Sequence, residues 1–165
     1  MQLNANELIK LMFRPITDNQ IIELIHQMNL EQPIIDDKYI EDKRIVVSDK
    51  EGSGITLIFK ELDGYSQVGD PILYQIDFKN FILPFKLTLN DNYSECCKKL
   101  SSKAHWIKNS KFFKKVKIWT VPFHKEKKIN VYIHFIDTTF NAIRSIVIIP
   151  FDEKEVGTIL LENKD

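Results

Sequence analysis

The feature that most constrains this chain is a change of apolar period near residue 30. Before it, apolar residues recur at helical spacing: Leu8, Ile9, Met12 and Phe13 share one side of a segment running from Asn6 to Phe13. Pro15 stops that segment, because the residue before a proline is pushed out of the helical region. A second helix is expected from Thr17 as N-cap, with Gln20 completing a capping box and Ile16 and Ile21 at the staple positions. Ile21, Leu24, Ile25 and Met28 then form one apolar stripe.

From Ile34 onward the apolar runs are short and bounded by turn residues. Arg44–Val47 and Ile55–Phe59 read as strands around the glycine-bearing turn Lys50–Gly54, with Ile55, Leu57 and Phe59 on one face. Ile72–Phe78 is the next strand, reached through the loop Asp63–Asp70. Asn92 with Glu95 three residues on predicts a short helix running to Leu100. Phe112–Val121, Ile129–Asp137 and Ala142–Ile149 follow as a meander, with connections short enough for hairpins. The charged tail from Asp152 carries one apolar patch, Ile159–Leu161, that offers an edge strand. The fold class is therefore α+β: N-terminal helices packed on a mainly antiparallel sheet, one short mid-chain helix, and a C-terminal three-strand meander. Residues 1–165 are expected to form one domain, with the helices in 1–30 and the sheet in 44–150, interrupted by the short helix at about 92–100.

A first meander hairpin turning about Glu126-Lys127 would set Ile118 opposite Phe135, Trp119 opposite His134 and Val121 opposite Tyr132. Val116, Ile118, Val131, Ile133 and Phe135 would then be core. Lys117, Trp119, Val121, Phe123, Tyr132, His134 and Ile136 would share the other face, suited to cover by a helix or a partner protein. A one-residue slip in register exchanges the faces.

Motifs for chemistry do not emerge. The four histidines are His26, His105, His124 and His134, in no His-Glu-x-x-His arrangement, and no Cys-x-x-Cys spacing occurs, so neither metal nor cofactor is expected. The two cysteines, Cys96 and Cys97, are adjacent and provide no disulfide framework. As nucleophiles they would need an activating base. There is no Gly-x-Ser-x-Gly elbow and no phosphate loop, and Gly52-Ser53-Gly54 reads as a turn. No catalytic residue is assigned, and the expectation is a protein that is not an enzyme. The start MQLNANELIK has no signal-peptide character, and no apolar run approaches the roughly 18–20 residues of a membrane span, so a cytoplasmic protein is expected.

Charge is more informative when divided. The 23 basic and 23 acidic residues cancel over the chain. Residues 1–80 carry 14 acidic and 8 basic side chains, and residues 81–165 carry 9 acidic and 15 basic. Glu31, Asp36, Asp37, Glu41 and Asp42 form an acidic stretch with only Lys38 against them, while Lys98–Lys128 holds eleven lysines and one acid, Glu126. The acidic stretch suits a basic protein partner, since complementary fields speed association and fix orientation. The lysine stretch contains Trp106, Phe112, Phe113, Trp119 and Phe123, which gives the alternative reading: a nucleic-acid-binding module using phosphate contact and base stacking. Against it, the stretch has no arginine and the whole chain no positive balance.

The order of elements carries a resemblance. Gly54-Ile55-Thr56-Leu57-Ile58-Phe59, a loop, Leu73–Phe78, then Leu83-Pro84-Phe85-Lys86-Leu87, a helix ending in Lys98-Lys99-Leu100, Trp106 and antiparallel strands follow one another. Over roughly residues 54–150 this resembles small immunity proteins of bacterial contact-dependent growth inhibition and polymorphic toxin systems. Many of those show a glycine, an apolar strand, Leu-Pro-Phe-Gly-Leu, a helix and Leu-Gly. Here Lys86 stands where the first motif has glycine, and Ser101 follows Leu100 where the second has it. The resemblance implies a cytosolic antidote that binds and neutralises the C-terminal domain of a cognate toxin and has no catalytic residues of its own. A nuclease toxin, basic because its substrate is anionic, would be met by acidic side chains. The expected partner-binding residues are Asp36, Asp37, Glu41 and Asp42, then Glu61, Asp63 and Tyr65.

Overall fold

The computed structural model describes residues 4–30, 34–36, 44–48, 54–60, 71–80, 82–104, 114–123 and 128–151. Two helices open the chain. The first, α1 (Ala5–Ile9), begins where the Asn4 side chain accepts a hydrogen bond from Asn6 N–H at 2.9 Å. It is shorter than its apolar spacing predicts. Residues 10–13 continue as turns and end at Phe13 with φ 71°, but Leu8, Ile9, Met12 and Phe13 are all buried as the spacing requires. In the second, α2 (Asn19–Gln27), the N-cap is Asp18 rather than the expected Thr17. The Asp18 carboxylate accepts from Gln20 N–H at 2.8 Å and also takes an ion pair from Arg14 at 3.0 Å. A carboxylate one position later does the same work with the added attraction of the helix N-terminus for negative charge. Ile21 is fully buried, and Ile16, Leu24, Ile25 and Met28 pack around it on the core.

The strands are β1 (Ile34–Asp36), β2 (Arg44–Ser48), β3 (Ile55–Lys60), β4 (Ile72–Phe78), β5 (Val116–Pro122), β6 (Lys128–Phe135) and β7 (Ile143–Pro150); α3 (Tyr93–Lys99) lies between β4 and β5. All pairs are antiparallel, and the order across the sheet is β1-β2-β3-β4-β7-β6-β5. The C-terminal meander thus joins the rest through its last strand. β4 and β7 pair over Ile76–Phe78 only. Where that ladder ends, the chain from α1 takes over: Phe13 N–H and Leu73 N–H bond Leu73 and Arg14 carbonyls at 2.8 Å, and Pro15 bridges Ile72. Gly54, at φ +83°, starts β3 under close constraint, because a Cβ there would stand 2.8 Å from the Asn80 side chain.

One face of the sheet is the core. Leu57, Phe59, Leu73, Ile76, Phe78, Trp119, Val131, Ile133, Ile146 and Ile148 have no exposed surface, and α1, α2, α3 and the 83–87 segment cover them. The α3 capping box forms as expected, with Asn92 N–H donating to Glu95 Oε2 at 2.8 Å and Glu95 N–H to Asn92 Oδ1 at 3.0 Å. At its other end Ser102 N–H reaches the Cys97 carbonyl and Ser101 N–H the Lys98 carbonyl, each at 3.2 Å, a Schellman closure. Ser101 has φ 56°, in the left-handed region where glycine is usual. The preceding turn, closed by Leu87 N–H to Pro84 carbonyl at 3.0 Å, holds Phe85 and Lys86 both at φ 58°. Left-handed backbone costs an L-residue roughly 1–2 kcal/mol.

The meander strands form, but the first hairpin has a different register. Trp119 pairs with Val131 and Ile118 with Tyr132, three residues from the expected alignment. An odd displacement exchanges the faces of β5. Trp119 and Val121 are therefore core, and Ile118 lies on the opposite face. Trp119 is fully buried and its Nε1–H donates to the Ser102 carbonyl at 3.0 Å. Phe123 packs edge-on against Phe13, with centroids 5.2 Å apart. The β6 residues Val131, Ile133 and Phe135 are core as expected, and Tyr132 and His134 are on the other side. The polar pair explains the choice: this register sets Thr120 opposite Asn130, and their side chains hydrogen-bond at 2.8 Å. Residues Phe112 and Phe113 at the expected start of β5, and the Ile159–Leu161 edge strand, lie outside the described residues.

Candidate functional site

Two charged stretches sit at opposite ends of the sheet order. The acidic one includes β1, an edge strand, and the connection from β1 to β2; the lysine one includes β5, at the far edge. Six inter-strand spacings separate these edges, roughly 29 Å at about 4.8 Å each. Of the expected partner-binding residues, Asp36 lies in β1, in register with Arg44 of β2. Asp37, Glu41, Asp42, Glu61, Asp63 and Tyr65 lie outside the described residues, with Asp37, Glu41 and Asp42 falling in the β1–β2 connection.

Three of the seven described lysines of this stretch are engaged within the chain. Lys99 pairs with the buried Asp91 at 2.7 Å. The Lys117 ammonium stands 4.5 Å from the Phe140 ring centroid and 5.7 Å from that of Tyr93, and Lys128 stands 6.0 Å from that of Phe151. Lys98, Lys103, Lys114 and Lys115 are exposed. Trp119 is fully buried and offers no ring to a base, and the partly buried Phe123 packs edge-on against Phe13; Trp106, Phe112 and Phe113 lie outside the described residues.

The sheet face away from the helices holds a mixed surface. One row runs across five strands as Thr56, Asp77, Val147, Tyr132 and Ile118. Ser145, His134 and Val116 make part of the next row, and Ile149, Asn130 and Thr120 flank it on the other side. Gln75 Nε2–H donates to Asp77 at 2.8 Å. Burial raises the Asp77 pKa above its ordinary value, opposed by the Gln75 hydrogen bond and by the charges of Lys79 and His134. Burial likewise lowers His134, with Arg144 acting in the same direction and Asp77 against it. Asp77 on β4 and His134 on β6 are separated by the whole of β7, about 10 Å of sheet, so they form no proton-relay dyad. Sequence reading placed Tyr132 and His134 on this side but missed Asp77. The signal was present: Asp77 alternates with Gln75 between the apolar residues Ile76 and Phe78 of the strand.

The cysteines offer no activated thiol at Cys96. Burial pushes that thiol up to about 12, helped by the nearby Asp91 charge, so it stays protonated at neutral pH. Asp91, 5% exposed, is the opposite case: burial opposes its ionisation, but hydrogen bonds from Lys99 and from the Thr88 N–H and hydroxyl outweigh it and hold the carboxyl below its ordinary range. Among the described residues no group of three or more His, Cys, Asp or Glu side chains is placed to hold a metal ion. No described helix is long and apolar enough to cross a membrane. Compared with family models, with curated proteins and with solved structures, the chain finds no match in any of the three.

Proposed function

We propose that this chain is an immunity protein that binds and neutralises a cognate bacterial toxin domain of nuclease type in the cytoplasm, by occluding its active or substrate-binding surface. The observation that carries the reading is conformational. Lys86 and Ser101, which stand where the resembled immunity proteins have glycine, both adopt left-handed backbone, at φ 58° and 56°. Left-handed backbone at these two positions is the conformation glycine favours, and it supports the resemblance in backbone path. The order of charge supports the mode of binding: in sequence the acidic stretch surrounds β1, at the opposite edge of the sheet order from β5 of the lysine stretch, and acids suit a basic nuclease.

The test asks first whether a large exoprotein with a variable C-terminal domain is encoded beside this chain, and then uses that domain. The two purified proteins should form a complex in which nuclease activity is lost, and expression of the chain should rescue growth of cells making the toxin. Reversing Asp36, Asp37, Glu41 and Asp42 together to lysine should lower the association rate at low salt by at least about tenfold. Absence of both complex and protection overturns the proposal; binding unchanged by the four reversals moves the interface away from β1. Salt-sensitive binding of labelled RNA or DNA, diminished by Lys114→Ala with Lys115→Ala, would instead favour the nucleic-acid module.

A further inference from the structure

We draw no further inference here: the strongest candidate, the sheet face away from the described helices, around Asp77, Tyr132 and His134, carries none because nothing in the structure shows what covers it.

Discussion

The two faces of the sheet are built from the same strands but by different rules. On the helix side, neighbouring rows are aliphatic or aromatic apart from Lys117, whose ammonium lies over the Phe140 and Tyr93 rings, and the polar atoms named there are paired: Trp119 Nε1 with Ser102, Asp91 with Lys99 and Thr88. On the other side, apolar residues alternate with Asp77, Asn130 and His134, and two titratable groups are held with their pKa values displaced toward neutrality of charge. One face is therefore specified by volume and the other by a balance of desolvation and charge. The first kind of specification resists change; the second responds to solvent and pH.

Adjacent residues on β5 give the sharpest way to break that contrast. Trp119→Ala should cost about 3–5 kcal/mol in urea unfolding, from lost packing and an orphaned Ser102 carbonyl. Ile118→Ala, half-buried on the other face, should cost about 1 kcal/mol. Equal losses would mean that the β5 register is wrong.

Two aspartates extend the comparison. Asp91→Asn should destabilise by about 2 kcal/mol at neutral pH, because Lys99 loses a buried anionic partner. In the wild type, the stability that Asp91 supplies is present above its unfolded pKa of 3.8 and is lost as pH falls through the lower folded value. Asp77 has the opposite sign. Its folded pKa is raised, so its contribution is greatest when protonated and is lost as pH rises through that folded value. Asp77→Asn should consequently raise the thermal midpoint at neutral pH, by the equivalent of up to about 1 kcal/mol. A clear loss of stability would show that Asp77 is better satisfied than its surroundings indicate.

The left-handed turns on the helix side predict smaller gains. Ser101→Gly and Lys86→Gly should each stabilise by about 0.5–1 kcal/mol, the relief of backbone strain exceeding the extra freedom given to the unfolded chain. A fall in stability from either change would remove the conformational argument for the resemblance. The smallest effect concerns His134. Because its folded pKa lies below the ordinary 6.5, the stability it contributes is present above pH 6.5 and declines as pH falls through the folded value. His134→Gln should flatten the stability curve below pH 6.5, measured by denaturant unfolding across pH; an unchanged curve would remove burial as the source of its shift.

These contrasts explain what was legible beforehand. β3 reads clearly because Ile55, Leu57 and Phe59 alternate with Thr56, Ile58 and Lys60, and only the first set is buried. The α3 cap reads clearly because Asn92 and Glu95 satisfy each other locally. β5 does not, because Ile118 and Trp119 are both apolar and periodicity cannot say which faces inward; the Thr120–Asn130 match carries that information. β1, three residues long, has too little pattern to announce itself. The face away from the described helices depends on strands distant in the chain, so its composition emerges only from the β4–β7 pairing.

That pairing also bears on how the protein is made. Phe78 meets Ile146, 68 residues later. At about 5–20 residues per second, a ribosome needs several seconds to supply the partner after β4 has been synthesised. During that interval the Ile76–Phe78 stretch of β4, destined for the middle of the sheet, is an open edge able to recruit another nascent chain. β7, the last described strand, is thus a completion step: a product terminated before residue 143 lacks the shared partner of β4 and β6 and leaves the two halves of the sheet unjoined.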